Sequence, residues 1–98
     1  MSAYLVVDID VHDLDQYQGY VSQAPDYVKR HGGKYVVRGG NVEVVEGEWQ
    51  PTRLVVVEFP SREQARAFLD DAEYQSVADI RRASTRSNMI LVDGFDGR

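Results

Sequence analysis

Residues 32–60, GGKYVVRGGNVEVVEGEWQPTRLVVVEFP, decide the fold of this chain. They contain three valine-rich runs, separated by a glycine pair and by a Trp/Pro segment. Such runs favour β-strands, and adjacent glycines between them favour a hairpin turn because glycine accepts a positive φ. The stretch therefore predicts, in order, a strand over residues 34–38, a turn at Gly39-Gly40, a returning hairpin strand over 41–47 and a central strand over 53–59.

The segment before this stretch predicts one strand and one helix. Residues 3–11, AYLVVDIDV, alternate in the manner of a strand. Asp13 is a favourable N-cap, and apolar residues at three- and four-residue steps then predict a helix that ends at the next glycine pair. Pro25 removes one hydrogen bond from this helix, so we expect a kink or two helical pieces near Gln23. Three phenols of the helix are expected to cover the core with their hydroxyls reaching water: Tyr17, Tyr20 and Tyr27.

The segment after the stretch predicts a second helical region and a final strand. Ser61 and Gln64 have capping-box spacing, which starts a helix with an apolar stripe. A further helical piece covers roughly residues 73–83, and the last strand covers 86–92. The order is the βαββαβ pattern of an α+β, ferredoxin-like sandwich, to which the hairpin run adds one extra central strand. We therefore expect a single domain over residues 1–98, with an antiparallel sheet and helices on one face only.

Composition excludes several classes of partner. The 98 residues carry a net charge of −5, and acids and bases are both spread along the chain, so the concentrated basic face of a nucleic-acid-binding protein is not expected. The absence of cysteine excludes disulfides, thiolate catalysis and zinc–thiolate sites. No apolar run approaches the ~20 residues of a membrane span, and no signal peptide is visible. We expect a cytoplasmic protein with no membrane partner.

The uncovered face of the predicted sheet is partly apolar. Its apolar members are Val6, Val56 and either the pair Met89/Leu91 or the pair Ile90/Val92. An exposed apolar patch of this kind usually marks an association surface. We therefore expect a homodimer that packs sheet to sheet through the open sheet face, with two-fold symmetry.

Four blocks of the sequence resemble a known bacterial family. They are GGKYVVRGG (32–40), VEVVEGEWQPTR (42–53), VVVEFPSREQA (55–65) and EYQSVADIRRAS (73–84). In this order they are similar to domain-of-unknown-function family 1330, whose members are single domains of about 100 residues. The resemblance implies membership of the dimeric α/β-barrel superfamily, in which two ferredoxin-like sheets face each other as a barrel. That expectation agrees with the homodimer inferred from the sheet faces.

The resemblance implies a range of activities and no particular one. Relatives in the superfamily include cofactor-free monooxygenases acting on polyphenols, muconolactone isomerases and haem-binding peroxidase-like enzymes, and many hold a ligand between helices and sheet. This chain has Phe68-Leu69 where many members carry a Trp-Tyr pair, so an aromatic hydroxyl is not expected there. Haem binding is not expected either, because neither histidine stands on a predicted apolar helix face. No cofactor is predicted.

Two residues are candidates for proton transfer. Glu58 interrupts an apolar strand, where a carboxylate must be paired, hydrogen-bonded or held neutral by desolvation. Such environments tune general acids and bases, although they also contain plain ion pairs. His12, at a strand-to-helix junction, could act as a base near neutral pH. The aspartates around His12 match no calcium or zinc spacing, so no metal is predicted.

Four residues are candidates for ligand binding: Arg38, Trp49, Arg53 and Tyr74. Arg38 ends a strand beside two glycines, where its fork of donors suits a carboxylate or enolate oxygen. The alternative for Arg38 is an ion pair with Glu46 or Glu58. Trp49 is either the aromatic wall of a ligand pocket or a clamp on the core or on a partner subunit. The hydroxyl of Tyr74 could orient a ligand.

The leading functional hypothesis is a small homodimer whose helix–sheet cleft binds a small organic molecule, with cofactor-free acid/base chemistry of the isomerase, cyclase or monooxygenase type. Arg38 would stabilise developing negative charge, and Glu58 or His12 would move a proton. The alternative is a non-catalytic dimeric binding or regulatory module in which these polar side chains pair with each other. The sequence leaves open the substrate, the reaction and the choice between an enzyme and a binding protein.

Overall fold

The computed structural model describes residues 1–96 as a four-stranded sheet with three helices. The elements follow one another as β1 (Ala3–Val11), α1 (Leu14–Arg30), β2 (Lys34–Arg38), β3 (Arg53–Phe59), α2 (Arg62–Asp70), α3 (Ala72–Ser84) and β4 (Thr85–Asp93). The predicted α+β, ferredoxin-like class is confirmed. Each of these four strands lies within one residue of its predicted bounds.

The sheet is antiparallel, with the strand order β2-β3-β1-β4. Leu5 of β1, for example, lies opposite Val57 of β3 on one side and Leu91 of β4 on the other. Side chains of β1 alternate between buried positions and positions that are partly exposed. This alternation is expected when helices cover only one face of a sheet. The molecule is accordingly a thin slab, with extents of 41 × 38 × 16 Å.

The core lies between the sheet and the helices. Phe59 is fully buried, and its ring centroid lies 5.3 Å from that of Phe68. Phe68 in turn lies 4.0 Å from the ring centroid of Tyr74. The buried cluster consists of Leu5, Val7, Ile9, Tyr17, Val28, Val55, Val57, Phe59, Ala65, Phe68, Tyr74 and Ala78. Helical stripes and alternate strand residues thus meet in one apolar layer.

The other side of the sheet is named here the open face; it contains Tyr4, Val6, Val56, Ile90 and Val92. Ile90 is 60% exposed and Val92 is 44% exposed, whereas the alternate residues of β4 pack against the core. Of the two pairs considered for the open face, Met89/Leu91 and Ile90/Val92, the structure therefore places Ile90 and Val92 there. Within residues 1–96, no helix lies over this face.

The predicted extra hairpin strand over 41–47 does not form. After Arg38 the chain turns at Gly39, which has a φ of +70°, and residues 39–52 then run outside the sheet. Strand β2 pairs with β3 instead. The valines of this segment remain exposed, and Val45 is 91% exposed. High β-propensity is not enough for a strand, because a strand also requires a partner and a surface to pack against.

Helix α1 runs from Leu14 to Arg30 without a break at Pro25, so the predicted division into two pieces is wrong. Pro25 has no N–H to donate to the carbonyl of Val21, four residues earlier. The Nη2 group of Arg38 lies 3.4 Å from that oxygen and donates to it. The hydrogen bond that Pro25 cannot make is therefore partly replaced by the one that Arg38 of strand β2 donates.

The helix starts follow the predicted capping residues. Asp13 accepts the backbone N–H of Gln16 at 3.1 Å, and Ser61 accepts that of Gln64 at 3.2 Å. Both caps satisfy donors that the first turn of a helix leaves unpaired. Within residues 1–96, none of the helices combines the length and the apolar character needed to cross a lipid bilayer.

Candidate functional site

A cavity lies between the helix layer and the sheet, and it is named here the helix–sheet cavity. Its polar lining consists of three arginines and four tyrosines: Arg38, Arg53, Arg81, Tyr17, Tyr20, Tyr35 and Tyr74. The remaining lining is apolar, and no carboxylate or histidine of residues 1–96 belongs to it. The cavity volume is about 30 Å³, which is room for about two water molecules at roughly 10–15 Å³ each.

Arg53, the first residue of β3, reaches the cavity from the sheet. Strand alternation places it on the same face as Val55, beneath the helices. Its Nε donates to the hydroxyl of Tyr17 at 3.2 Å, and its guanidinium lies 5.7 Å from the centroid of that ring. Gly39 leaves room for this guanidinium, because a Cβ at that position would collide with Nη1 of Arg53. The predicted ligand-binding Arg53 therefore lines the cavity.

Arg38 lines the exposed side of the same cavity. Its guanidinium lies 4.6 Å from the ring centroid of Tyr35, and it donates to the carbonyl of Val21 on α1. The alternative ion pair with Glu46 or Glu58 is not among the ion pairs found within residues 1–96. The guanidinium of Arg38 thus stands at the rim, between a strand and a helix.

Two phenols of α1, Tyr17 and Tyr20, point inward, contrary to the expectation that their hydroxyls reach water. Tyr17 is only 3% exposed, and its ring stacks on that of Tyr20 with centroids 5.8 Å apart. The hydroxyls of Tyr20 and Tyr74 lie 2.8 Å apart and share a hydrogen bond. Burial is the main cause that raises the pKa of Tyr20 well above its ordinary value. Tyr20 therefore stays protonated and does not act as a base.

Arg81 of α3 is a cavity residue that sequence reasoning missed. It is 7% exposed, and its guanidinium lies 5.7 Å from the ring centroid of Tyr20. Its Nη1 donates to Ser87 Oγ at 2.7 Å, but its buried Nε has no hydrogen-bond partner. An unsatisfied buried donor costs about 1–3 kcal/mol. Helical spacing could have identified Arg81 from the sequence, because it follows the buried Tyr74 by two turns of the same helix and so lies on the same side.

Glu58 lies on the open face rather than at the cavity. Its carboxylate accepts a hydrogen bond from the hydroxyl of Tyr4 at 3.0 Å and pairs with Lys34 Nζ at 3.4 Å. Hydrogen bonds from Ser2 and then Tyr4, together with Lys34, hold the pKa of Glu58 below its ordinary value despite partial desolvation. A carboxylate stabilised in this way is a weak base. The structure does not bring the predicted Glu58 together with Arg38.

His12 and Trp49 also lie outside the cavity lining. His12 is exposed at the junction of β1 and α1, where its backbone N–H donates to the carbonyl of Ser84 at 3.0 Å. The indole N–H of Trp49 donates to Asp8 Oδ2 at 2.9 Å, which ties residues 39–52 to the open face. No cluster of potential metal ligands occurs among the first 96 residues. Of the six predicted site residues, the cavity gathers Arg38, Arg53 and Tyr74.

The family of this chain follows from its match to one family model. The model described as Domain of unknown function (DUF1330) matches residues 2–95, which contain all four strands and all three helices of the fold. The chain belongs to the DUF1330 family. This confirms the family resemblance seen in the sequence blocks. A search of curated proteins found no match.

Solved structures show the same fold as this DUF1330 domain at low sequence identity. The RPA0582 protein of unknown function from Rhodopseudomonas palustris is 17% identical, with a TM-score of 0.80 over 97% of this chain and 83% of that chain. SnoaB, a cofactor-independent oxygenase from Streptomyces nogalater, is 13% identical, with a TM-score of 0.69 over 97% and 94% of the two chains.

A designed protein shares this architecture as well. The de novo designed protein Foldit4 is 9% identical, with a TM-score of 0.60 over 97% of this chain and all of that chain (100%). Identities this low establish the fold alone, and one fold hosts many unrelated functions. The function of the DUF1330 domain must therefore be argued from its cavity.

A cluster of ion pairs at the start of α3 positions Tyr74. Asp71, the N-cap of α3, accepts the backbone N–H groups of Glu73 at 2.9 Å and Tyr74 at 3.3 Å through Oδ1. Its Oδ2 lies 2.8 Å from His31 Nε2 and 3.2 Å from Arg30 Nη1. The hydrogen bond with His31 is the main cause that lowers the pKa of Asp71 from 3.8 to about 2. Asp71 thus joins the end of α1 to the start of α3.

Acidification is expected to destabilise the domain through Asp71. A carboxylate whose pKa is lower in the folded state stabilises the fold above its unfolded pKa, and this stabilisation is lost as the pH falls through the folded pKa. The contribution is therefore complete above about pH 4 and fades as the pH approaches about 2. Thermal unfolding monitored from pH 7 to pH 2 is expected to show a steeper fall for wild type than for Asp71→Asn. The exposed Asp26→Asn is the control and should follow wild type; equal slopes for all three proteins would contradict the assignment.

Proposed function

We propose that the DUF1330 domain binds a small organic anion in the helix–sheet cavity. The observation that supports this most is the lining, because Arg38, Arg53 and Arg81 bring three positive charges to an otherwise apolar space without a lining carboxylate in the described residues. Arg81 is buried and Arg53 is partly buried, and cations in such positions are unfavourable without a counter-charge. A ligand oxyanion would supply that charge and would accept hydrogen bonds from the guanidinium groups.

The proposed ligand is an acidic aromatic or enolic compound. The tyrosine rings and aliphatic side chains of the lining offer apolar contact, and the guanidinium groups offer the charge. Nearby positive charge favours the ionised form of a bound phenol or enol. The ligand would then lose its proton without a side-chain base, which suits a cavity that Glu58 and His12 do not line.

The first reaction class that we propose is oxygenation without a cofactor. SnoaB, described as a cofactor-independent oxygenase, has the same fold. In a monooxygenation of this kind, a CH₂ group and O₂ give a C=O group and water, so the substrate supplies the electrons and O₂ is the sole co-substrate. Arg53 would stabilise the substrate anion that donates those electrons.

Binding of an aromatic ligand requires the cavity to open. The volume of about 30 Å³ is far below the roughly 300–1,000 Å³ of a typical ligand pocket. Arg38 is exposed at the rim, and its hydrogen bond to Val21 is long at 3.4 Å, so this side chain can swing outward at small cost. The rim beside Arg38 is therefore the proposed route for the ligand.

We also propose that two copies of the chain pack through the open face. Val6 and Ile90 are direct neighbours in the register of β1 and β4, and Ile90 is largely exposed. The bond from Trp49 to Asp8 holds a large aromatic ring on the same side of the sheet. Aromatic and aliphatic anchors of this kind are typical of protein interfaces. A cytoplasmic location stays a prediction.

The second candidate function is a non-catalytic binding or regulatory module. The observation in its favour is the described lining, which contains no histidine or carboxylate to move a proton. Oxygen uptake in the presence of a panel of phenols and enolisable ketones separates the two candidates. An oxygenase consumes one O₂ per product, whereas a binding module consumes none and still binds the compounds.

Ionisation of 4-nitrophenol tests the proposed anion site. Binding beside Arg53 is expected to lower the pKa of this phenol by about one unit, equivalent to ~1.4 kcal/mol of preference for the phenolate. The phenolate absorbs in the visible range, so a pH titration with and without protein measures the shift. Arg53→Met should remove at least about half of it, and the exposed Arg62→Met should leave it unchanged. An ionisation curve that the protein does not move would overturn the proposed function.

A further inference from the structure

Arg81 is the most deeply buried charge of the helix–sheet cavity. It is 7% exposed, and the ion pairs of residues 1–96 do not include it. Ser87 Oγ accepts from its Nη1 at 2.7 Å, and its buried Nε has no partner. A guanidinium normally uses its whole fork of donors when it is buried. One edge of this fork is therefore free to hold a ligand.

We propose that Arg81 binds a carboxylate group of the ligand at the closed end of the cavity. This inference rests on the proposed function and narrows it to ligands that carry a carboxylate. The edge that contains Nε presents two parallel N–H groups, and a carboxylate presents two acceptor oxygens at matching spacing. A cation could not satisfy this edge, since arginine has donors and no acceptor.

The tyrosine pair beside Arg81 supports an anionic occupant. The hydroxyls of Tyr20 and Tyr74 share one hydrogen bond of 2.8 Å, in which only one of the two O–H groups is the donor. The other O–H group can donate to a ligand. The ring of Tyr20 also lies 5.7 Å from the guanidinium of Arg81. The closed end thus offers a cation and a neutral donor side by side.

A second anchor lies across the sheet. Arg53, Ile9 and Ser87 occupy neighbouring positions on β3, β1 and β4. Strands lie about 4.7–4.9 Å apart, so the backbones of Arg53 and Ser87 are about 10 Å apart. Since Arg81 is bound to Ser87, the two guanidinium groups approach the cavity from opposite sides. A hydroxy-aromatic acid fits this arrangement, with its carboxylate at Arg81 and its hydroxyl at Arg53.

Calorimetric titration with 4-hydroxybenzoate and its neutral amide, 4-hydroxybenzamide, tests the inference. Wild type is expected to bind the acid at least about twentyfold more tightly than the amide, because a buried unpaired charge discriminates strongly against a neutral group. Arg81→Met should reduce this preference to less than about threefold. Arg82→Met is the matched control, since Arg82 is the exposed neighbour that pairs with Asp79 at 2.8 Å, and it should keep the wild-type preference.

The outcomes separate the two proposals. If neither compound binds to wild type, the proposed function fails and the inference fails with it. If both compounds bind equally well, or if Arg81→Met retains the preference, the inference about Arg81 alone is overturned. Should Arg81→Met fail to fold, Arg81→Lys keeps the charge without the fork and is expected to lose at least about fivefold of the preference.

The side-chain Nε–H resonance of Arg81 gives a direct readout in wild type. This resonance is assigned by its loss in Arg81→Lys. It is expected to move on addition of 4-hydroxybenzoate, because the buried Nε gains an acceptor. It should move much less on addition of 4-hydroxybenzamide. An unmoved resonance at saturating acid would show that the carboxylate binds elsewhere and would overturn the inference.

Discussion

The Phe59→Ala variant is expected to lose about 3–5 kcal/mol of the free energy of unfolding. Phe59 is fully buried at the end of β3, and its ring packs against Phe68 with centroids 5.3 Å apart. A Cβ placed on Gly33 would lie 2.7 Å from the ring of Phe59, which shows how closely the backbone approaches it. Removal of the ring therefore leaves a void that the tight surroundings cannot fill. Urea unfolding at a fixed protein concentration measures the loss.

Phe95→Ala is the matched control for this variant. The same atoms are removed from a side chain that is 85% exposed, so the change should lie within about 0.5 kcal/mol of wild type. If Phe59→Ala is too unstable to fold, Phe59→Leu fills part of the void and should show a smaller loss in the same direction. A wild-type urea midpoint for Phe59→Ala would mean that this ring does not organise the core.

The Ile90→Asp variant is expected to be monomeric at concentrations where wild type forms the proposed dimer. Ile90 stands next to Val6 on the open face, on the edge strand β4. Two-fold symmetry would bring two new carboxylates into one apolar interface, and each would be desolvated without a partner. The dissociation constant should rise at least about a hundredfold, which is ~2.7 kcal/mol. Sedimentation measures whether the mass is that of one 11.1 kDa chain or twice that value.

Leu14→Asp is the control for the dimer experiment. Leu14 is 62% exposed, much like Ile90, but it lies at the start of α1 on the helix side of the molecule. An acidic residue also suits the first turn of a helix. This variant should keep the mass of wild type. A wild-type mass for Ile90→Asp, or a monomeric wild type at every concentration, would refute the sheet-to-sheet dimer.

Most of the fold could be predicted because its signals are local. The alternation in residues 3–11, the apolar run in 53–59 and the caps at Asp13 and Ser61 each act through neighbours in sequence. Strand period, helix period and capping chemistry then agree on one topology. When these local signals agree with one another, the topology can be predicted from the sequence.

Two of the structural errors arose where a distant partner decides the outcome. Residues 41–47 have the composition of a strand, but β2 already pairs with β3 and these valines find no surface to cover. Pro25 was expected to kink α1 or to divide it, but the helix is not divided, and Arg38, from a strand distant in sequence, donates to the carbonyl that proline leaves free. Neither contact is encoded within a window of ten residues, so neither could be read from local pattern.

The candidate site was harder to predict than the fold. Alternation along β3 puts Arg53 and Glu58 on opposite faces of the strand, so the separation of these two residues was visible in the sequence. Arg81 was overlooked because charged residues on helices are usually taken as solvent-facing. Its spacing from Tyr74 indicated the buried side. What no spacing could show is that its Nε lacks a partner, because this depends on the packing of several elements.

The molecule has more exposed surface than its mass requires, and the uncovered sheet face and the exposed residues 39–50 both contribute to it. The chain exposes 6380 Å², whereas a folded chain of 11.1 kDa is expected to expose about 5,700 Å². The excess of roughly 700 Å² is close to the ~800 Å² that each partner buries in a standard interface. In the proposed dimer, association would stabilise the folded chain, so the melting temperature should rise with protein concentration. Dilution would then act on this fold as a mild denaturant.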